Sequence, residues 1–378
     1  MQFKDVLGLE KTKQKLQLSF QNQRIAHAQL FNGKRGSGKL ALAIAYARLL
    51  NCTSENCESC VKFSKLSHPD FHIIFPVIKT TINKTPNSSD FLHKWKEEFL
   101  KNPYFSLDDW MTIYKQEFLD KPSDKNKEPA IYAHQINEIN KKLSLKIYSA
   151  QYRIVLIWMP EKMNMQASNK LLKVLEEPPK KTLIILVSED KSKLLKTIIS
   201  RLQILEIPSY SVMETINGSG FEKTEEFLSF CKLSSGDMGE VLNYNLEKTE
   251  TDSFLLFSDL MRSSYSKNYI KITELTEMLS GKTRKQQIDF LKYSLGFLRD
   301  CLLFNYSEES LVLMSNKEKE FLKKFAQFVN SNNAIYIIEE FEVAIKNIAR
   351  NANSKIILFN LCLKLTTLLK LKSKFVEE

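Results

Sequence analysis

Residues 28–50, AQLFNGKRGSGKLALAIAYARLL, decide the fold. An apolar run of strand length runs into a glycine-rich loop, and the loop opens an alanine-rich helix. Glycines let backbone amides curl around an anion, the helix amino terminus adds positive potential, and a lysine at the loop's end reaches the outer phosphates. Gly33, Gly36, Ser37, Gly38 and Lys39 are therefore the candidate nucleotide-binding residues. Position 40 is leucine, where such loops carry the Ser or Thr hydroxyl that helps hold magnesium. A nucleotide can still bind such a loop, but its metal is poorly held.

Working outward, FHIIFPVI, YRIVLIWMP and TLIILVSED are further apolar runs of buried-strand length, separated by helical stretches. That alternation predicts an α/β fold with a parallel sheet. Two polar stretches, residues 79–90 and 119–129, bracket the aromatic segment FLHKWKEEFLKNPYFSLDDWMTIYKQEF, so residues 79–129 read as a largely helical insertion. Its aromatics form either a small satellite core or a partner-binding module. No proline follows Pro208 and no glycine follows Gly296, which predicts a last third that is nearly all helix.

The 378 residues suggest two or three domains. There is no 18-residue apolar run and no charged leader followed by an apolar segment, so the chain reads as soluble and cytoplasmic, without a membrane partner. A net charge of +11 favours polyanions such as DNA. The lysines are spread without a dense block, however, so charge alone decides nothing.

Residues 152–203 contain Asn169, Leu171-Leu172-Lys173, Leu175-Glu176-Glu177-Pro178-Pro179 and Thr197-Ile198-Ile199-Ser200-Arg201. With HAQLFNGKRGSGK and HPDFH, these resemble the clamp-loader branch of the AAA+ ATPases over residues 1 to about 245. The resemblance implies an AAA+ phosphate-loop module over 1–208 with the insertion at 79–129, a small helical lid over 209–250, and an all-helical collar for oligomerisation over 251–378. It also implies where catalytic groups belong. The two Walker B acids fall on Trp158 and Met159, sensor 1 falls near Ser188, and the sensor 2 arginine falls on Gly239. Both acids and the arginine are missing, and with them the groups that hold magnesium and polarise the attacking water. Arg201 remains. In the family it points into a neighbouring subunit's ATP site as an arginine finger; the bland alternative is a surface arginine at a turn leading into a strand.

This pattern of losses resembles the non-hydrolysing subunits of the family, which complete a neighbour's active site. The function it implies belongs to the DNA polymerase III holoenzyme, where a clamp loader places the sliding clamp on primed DNA. The implied partners are gamma/tau motor subunits, the delta subunit, the clamp and DNA, in a hetero-oligomer. The implied cofactor is the neighbour's ATP, with the chain's own nucleotide in doubt. The rival reading is a self-sufficient AAA+ ATPase acting on DNA, in which Glu161 substitutes for the missing acids after a rearrangement of the strand end.

Three of six cysteines, Cys52, Cys57 and Cys60, lie in CTSENCESC. Family members often carry a four-cysteine zinc module here, and Ser54 stands where the second ligand belongs. Zinc wants four ligands, so His68, Glu55 or Glu58 must complete the shell; otherwise the loop is a metal-free cluster of thiols in a reducing compartment.

Overall fold

The computed structural model describes residues 1–52, 57–224, 227–228, 230–231, 234–244, 251–306 and 316–371. They form two compact units: Met1–Gly220 with Ser235–Asn243, and the described residues of Phe221–Ser234 and Tyr244–Glu378. Several positions of the expected 209–250 lid, including 245–250, lie outside the described residues.

In the first unit, α1 (Glu10–Gln21) precedes β1 (Ala28–Asn32), α2 (Lys39–Asn51), α3 (Glu58–Ser64) and β2 (Phe71–Ile74). The insertion contributes α4 (Leu92–Lys101) and α5 (Leu107–Glu117). Beyond it come the helix Ala133–Leu143, β3 (Arg153–Trp158), the helix Met165–Glu176, β4 (Thr182–Ser188) and β5 (Gln203–Glu206). The sheet order is β2-β3-β4-β1-β5, and every pairing is parallel. This is the expected α/β phosphate-loop module of AAA+ type. β3 and β4 are buried at every residue, which is why both read as unbroken apolar runs. β5 is different: its QILE pattern is half exposed at the sheet edge, so it carries no apolar run, and only the turn motif before it points to a strand.

Local chemistry explains the flanking helices. In the helix Met165–Glu176, Asn164 caps the amino terminus by accepting from the Ala167 amide. Its buried residues Ala167, Ser168, Leu171, Val174 and Leu175 recur on one face, and Pro178-Pro179 lie just past its end. The HPD turn secures β3 from below: the Asp70 carboxylate accepts from the amides of Tyr148, Ser149 and Ala150.

His72 on β2 is held neutral. Burial first, then the charges of Lys142 and Arg153, push its imidazole down to about 4 despite Asp70 and Glu138. The unfolded chain's histidine takes a proton near pH 6.5, so this group's stabilisation is complete above that pH and is lost as pH falls towards 4. Replacing His72→Gln is expected to flatten the stability profile between pH 6.5 and 4 by about 2 to 3 kcal/mol, read by denaturant melts across that range. An unchanged profile would contradict the assignment.

The second unit is helical in its described residues, with helices Thr251–Ser266, Tyr269–Ser280, Arg284–Tyr306, Asn316–Phe325, Ala334–Ala349 and Ser354–Leu368. Phe257, Phe297, Ile337, Phe341, Leu361 and Cys362 are among its core. Cys301 and Cys362 are buried there as small apolar residues. Among the described residues no helix is long and apolar enough to cross a membrane.

Candidate functional site

The parallel register aligns the carboxyl ends of three strands: Asn32 of β1 faces Ser188 of β4, and Trp158 of β3 faces Val187. The segments leaving these strands therefore converge at one edge of the sheet, where ligand crevices form in open α/β folds. From β1 comes the glycine loop. Its Gly33 amide donates to Ser188 O at 3.1 Å, and Gly36 and Gly38 take the left-handed conformation at φ 66° and 77°, which suits glycine. Lys39 opens α2 and is buried. Its Nζ donates to Lys34 O at 3.0 Å and to Glu189 Oε1 at 3.4 Å. Burial lowers its pKa, while Glu189, Glu161 and Asp237 oppose that shift. The Ser37 hydroxyl is buried without a protein hydrogen-bond partner.

From β3 comes an apolar floor, Trp158 and Met159. Trp158 is 2% exposed, and its ring centroid lies 5.7 Å from Trp95 and 5.0 Å from Phe105. Trp95 in turn stacks on Phe75 and Phe99, and Trp110 meets Phe75 edge-on. The insertion's aromatics are thus a satellite core seated on the strand end. Met159 comes next, in the left-handed region at φ 58°. Glu161 sits in the turn Pro160–Lys162, and its Oε1 accepts from the Glu189 amide at 2.8 Å. Burial raises its pKa. The sensor 1 position, Ser188, is buried, with its Oγ accepting from Asp190 N at 3.2 Å.

Sequence reasoning missed the contribution of the insertion to this site. Arg35 of the glycine loop makes ion pairs with Asp108 at 3.1 Å, Asp237 at 2.9 Å and Asp109 at 3.9 Å. Burial works against the Arg35 charge, and Asp237, Asp109 and Asp108 outweigh it, raising its pKa. The Tyr104 hydroxyl accepts from the Leu7 amide at 2.9 Å, while Tyr210 Oη donates to the Leu7 carbonyl at 2.8 Å. The only signal in the sequence is an acid pair, Asp108-Asp109, far along the chain from a basic loop.

Arg201 stands apart from these groups, on the turn between the helix Lys196–Ile199 and β5. It is partly exposed; its Nη2 lies 2.7 Å from Glu176 Oε1, and its Nη1 donates to Thr197 O at 2.8 Å. Two guanidinium nitrogens are thereby held by the chain itself.

The sulfurs of Cys52, Cys57 and Cys60 lie within 4.8 Å of one another, a spacing three ligands of one tetrahedral metal can adopt at Zn–S distances of about 2.3 Å. The cluster can hold a metal. His68 is not among the three gathered groups; it is buried against Phe63 with its Nδ1 accepting from the Asp70 amide. Glu58 pairs with Lys62 at 2.6 Å, and Ser54 and Glu55 lie outside the described residues.

A five-stranded parallel sheet whose central region feeds a glycine loop and a buried helix defines a phosphate-loop module of the AAA+ class. Within that class, the model of the DNA polymerase III delta subunit family matches residues 8–211, more than half the chain, and the protein belongs to that family. It is similar to the delta' subunit of DNA polymerase III of Bacillus subtilis (strain 168), 28% identical over 193 residues, covering 50% of this chain and 44% of that protein. The match thus spans less than half of that relative's length. The delta' subunit of Haemophilus influenzae is 23% identical over 287 residues, 73% of this chain and 70% of that protein. Among solved structures, a gamma subunit-related protein of Thermotoga maritima aligns over 94% of this chain and 99% of that one, at 13% identity and a TM-score of 0.37.

Proposed function

We propose that this chain is the delta prime subunit of a bacterial DNA polymerase III clamp loader, and that it supplies Arg201 in trans to the ATP site of a neighbouring gamma/tau motor subunit. Its own site has little to hydrolyse with: Leu40, Trp158, Met159 and Gly239 stand where a hydroxyl, two acids and an arginine serve an active site. The observation that carries the reading is Arg201 itself, partly exposed on a turn with Glu176 and Thr197 holding its guanidinium in position. Docked against a neighbour, a guanidinium presented in this way stabilises charge developing on the γ-phosphate oxygens as the terminal phosphoryl group leaves. The chain takes no part in bond making beyond that charge.

The remaining parts follow from the same reading. The 1–208 module and a lid over 209–250 lead into a collar over 251–378 that packs with the other subunits. The net charge of +11 adds to a chamber that receives the phosphates of primed DNA as the clamp is placed. The test is reconstitution with motor and delta subunits, assaying ATP turnover and clamp loading with and without the Arg201 side chain. Magnesium-dependent turnover by the isolated chain, abolished by Lys39→Ala, would instead favour the rival ATPase, with Glu161 as the substitute acid.

The cysteine cluster makes a separate, cheap prediction. The purified chain is expected to carry about one zinc by elemental analysis, falling at least about fivefold in Cys57→Ser with Cys60→Ser, because two of three thiolates are gone. A metal-free chain with titratable thiols is the contrary result.

A further inference from the structure

The phosphate loop is closed by the chain's own residues, from two sides. Asp237 comes from one direction: a Cβ on Gly36 would stand 2.0 Å from its Oδ1 and 2.5 Å from its Cα, and the Met238 amide donates to Gly36 O at 3.2 Å. Asp237 also ion-pairs with Arg35. The insertion comes from the other, bringing Asp108 and Asp109 to the same guanidinium and Tyr104 to the amide of Leu7. Where a Cβ on Gly38 would go, the Tyr210 hydroxyl lies 2.3 Å away and a carbon of the Tyr104 ring 3.1 Å away.

The two sides lock together at Gly239. A Cβ there would fall 2.2 Å from the backbone oxygen of Tyr104, and Asn102 Nδ2 donates to Gly239 O at 3.3 Å. An arginine at this position, as the resemblance places in active members, is sterically incompatible with the insertion where it lies. The bare backbone at 239 is what lets residues 102–109 lie where they do. The electrostatics agree with the sterics. Three carboxylates converge on Arg35, and Lys39 is already engaged by Glu189 and Lys34. An incoming triphosphate would meet negative charge at the loop's basic residues.

We propose that residues 102–109 of the insertion, with Asp237, are a built-in plug of the phosphate-loop cleft that holds this subunit nucleotide-free. The acids take the place of phosphate charge beside Arg35, and Tyr104 fills the space beside the loop. The plug is independent of Arg201: a failed finger leaves it standing, and a failed plug leaves the finger untouched.

The experiment uses the full chain and Mg·ATP as the probe. Binding is measured by titration calorimetry, and hydrogen exchange is measured in peptides covering 32–42 and 102–109. The test variant is Asp108→Asn with Asp237→Asn, since asparagine at 237 keeps the helix cap that Asp237 supplies to the Glu240 amide. Removing two like charges from the cleft is expected to tighten Mg·ATP binding by at least about tenfold and to speed exchange across 102–109. Lys39→Ala in the same background is expected to abolish the gain. Equal ATP binding by the parent and the double variant, at any affinity including none detectable, overturns the proposal. So does a gain in binding that survives Lys39→Ala, because the ATP is then not on the phosphate loop.

Discussion

In a reconstituted clamp loader, replacing Arg201→Ala is expected to slow ATP hydrolysis at the adjoining motor site by about a thousandfold, the lower end of what arginine fingers supply. That is about 4 kcal/mol of transition-state stabilisation. The loss should appear in the rate of the chemical step, measured by single-turnover hydrolysis, with motor sites that do not face this subunit unaffected. Folding is not at issue, since Arg201 is partly exposed and its ion pair with the half-exposed Glu176 contributes little to stability. Arg201→Lys is expected to recover only a small part of the rate, because a point-charge ammonium cannot reproduce a planar guanidinium that stays tethered while reaching an oxygen. Glu176→Gln keeps the side chain's size and a hydrogen-bond acceptor, and should cost far less than Arg201→Ala. Full activity of the Arg201→Ala assembly would end the finger assignment, and the chain's contribution would then be sought in assembly alone.

Placing an acid at position 158, where the resemblance implies one, is expected to damage the protein rather than create an enzyme. Trp158 is 2% exposed and joins β3 to the insertion core through Trp95 and Phe105. Truncating a buried aromatic of this size costs about 3 to 5 kcal/mol, and an unpaired carboxylate in its place adds to that. Trp158→Asp is therefore expected to destabilise the first unit by at least about 4 kcal/mol, lowering its melting temperature by about 8 to 16 °C. Trp158→Phe keeps an aromatic ring at the site and should cost about half as much or less. The measurement is a thermal melt monitored by tryptophan fluorescence, because Trp95 and Trp110 are both fully buried in the insertion. A melt unchanged by Trp158→Asp would mean that the contact with the insertion is incidental.

These two expectations differ in how legible their basis is. The role proposed for Arg201 comes from Thr197-Ile198-Ile199-Ser200-Arg201 after Leu175-Glu176-Glu177-Pro178-Pro179, a motif that is local and dense. Its partner Glu176 belongs to that same motif, yet nothing in a linear reading says that a residue 25 positions earlier closes on the guanidinium. Trp158 is legible as the position where the resemblance implies an acid. That it is also the floor of the insertion is hidden, because Trp95 and Phe105 reach it from a distant part of the chain.

For the same reason β1, β3 and β4 stand out in the sequence and β5 does not. Strands buried on both faces must be apolar throughout, whereas an edge strand such as Gln203–Glu206 needs only one buried side chain, Leu205. The order of the strands is likewise invisible in composition, since β4 separates β3 from β1 only after long crossovers. The cysteine cluster is legible only in part. The three cysteines do gather, as their spacing suggests, while the contact of His68 Nδ1 with the Asp70 amide in the HPD turn is seen only in the fold.

By itself, then, the sequence determined the phosphate-loop module and its AAA+ kinship, and it supplied the residues on which the proposal of absent catalytic groups and a trans-acting arginine rests. Each of these depends on residue type within one short stretch, where glycine conformations, strand burial and helix periodicity act locally. Only the tertiary structure decided what fills the space around the loop. Asp108, Tyr104, Asp237 and Gly239 close in around the loop across separations of tens to hundreds of residues. Close approach, excluded volume and converging charge are properties of packed space, and no periodicity in the chain encodes them.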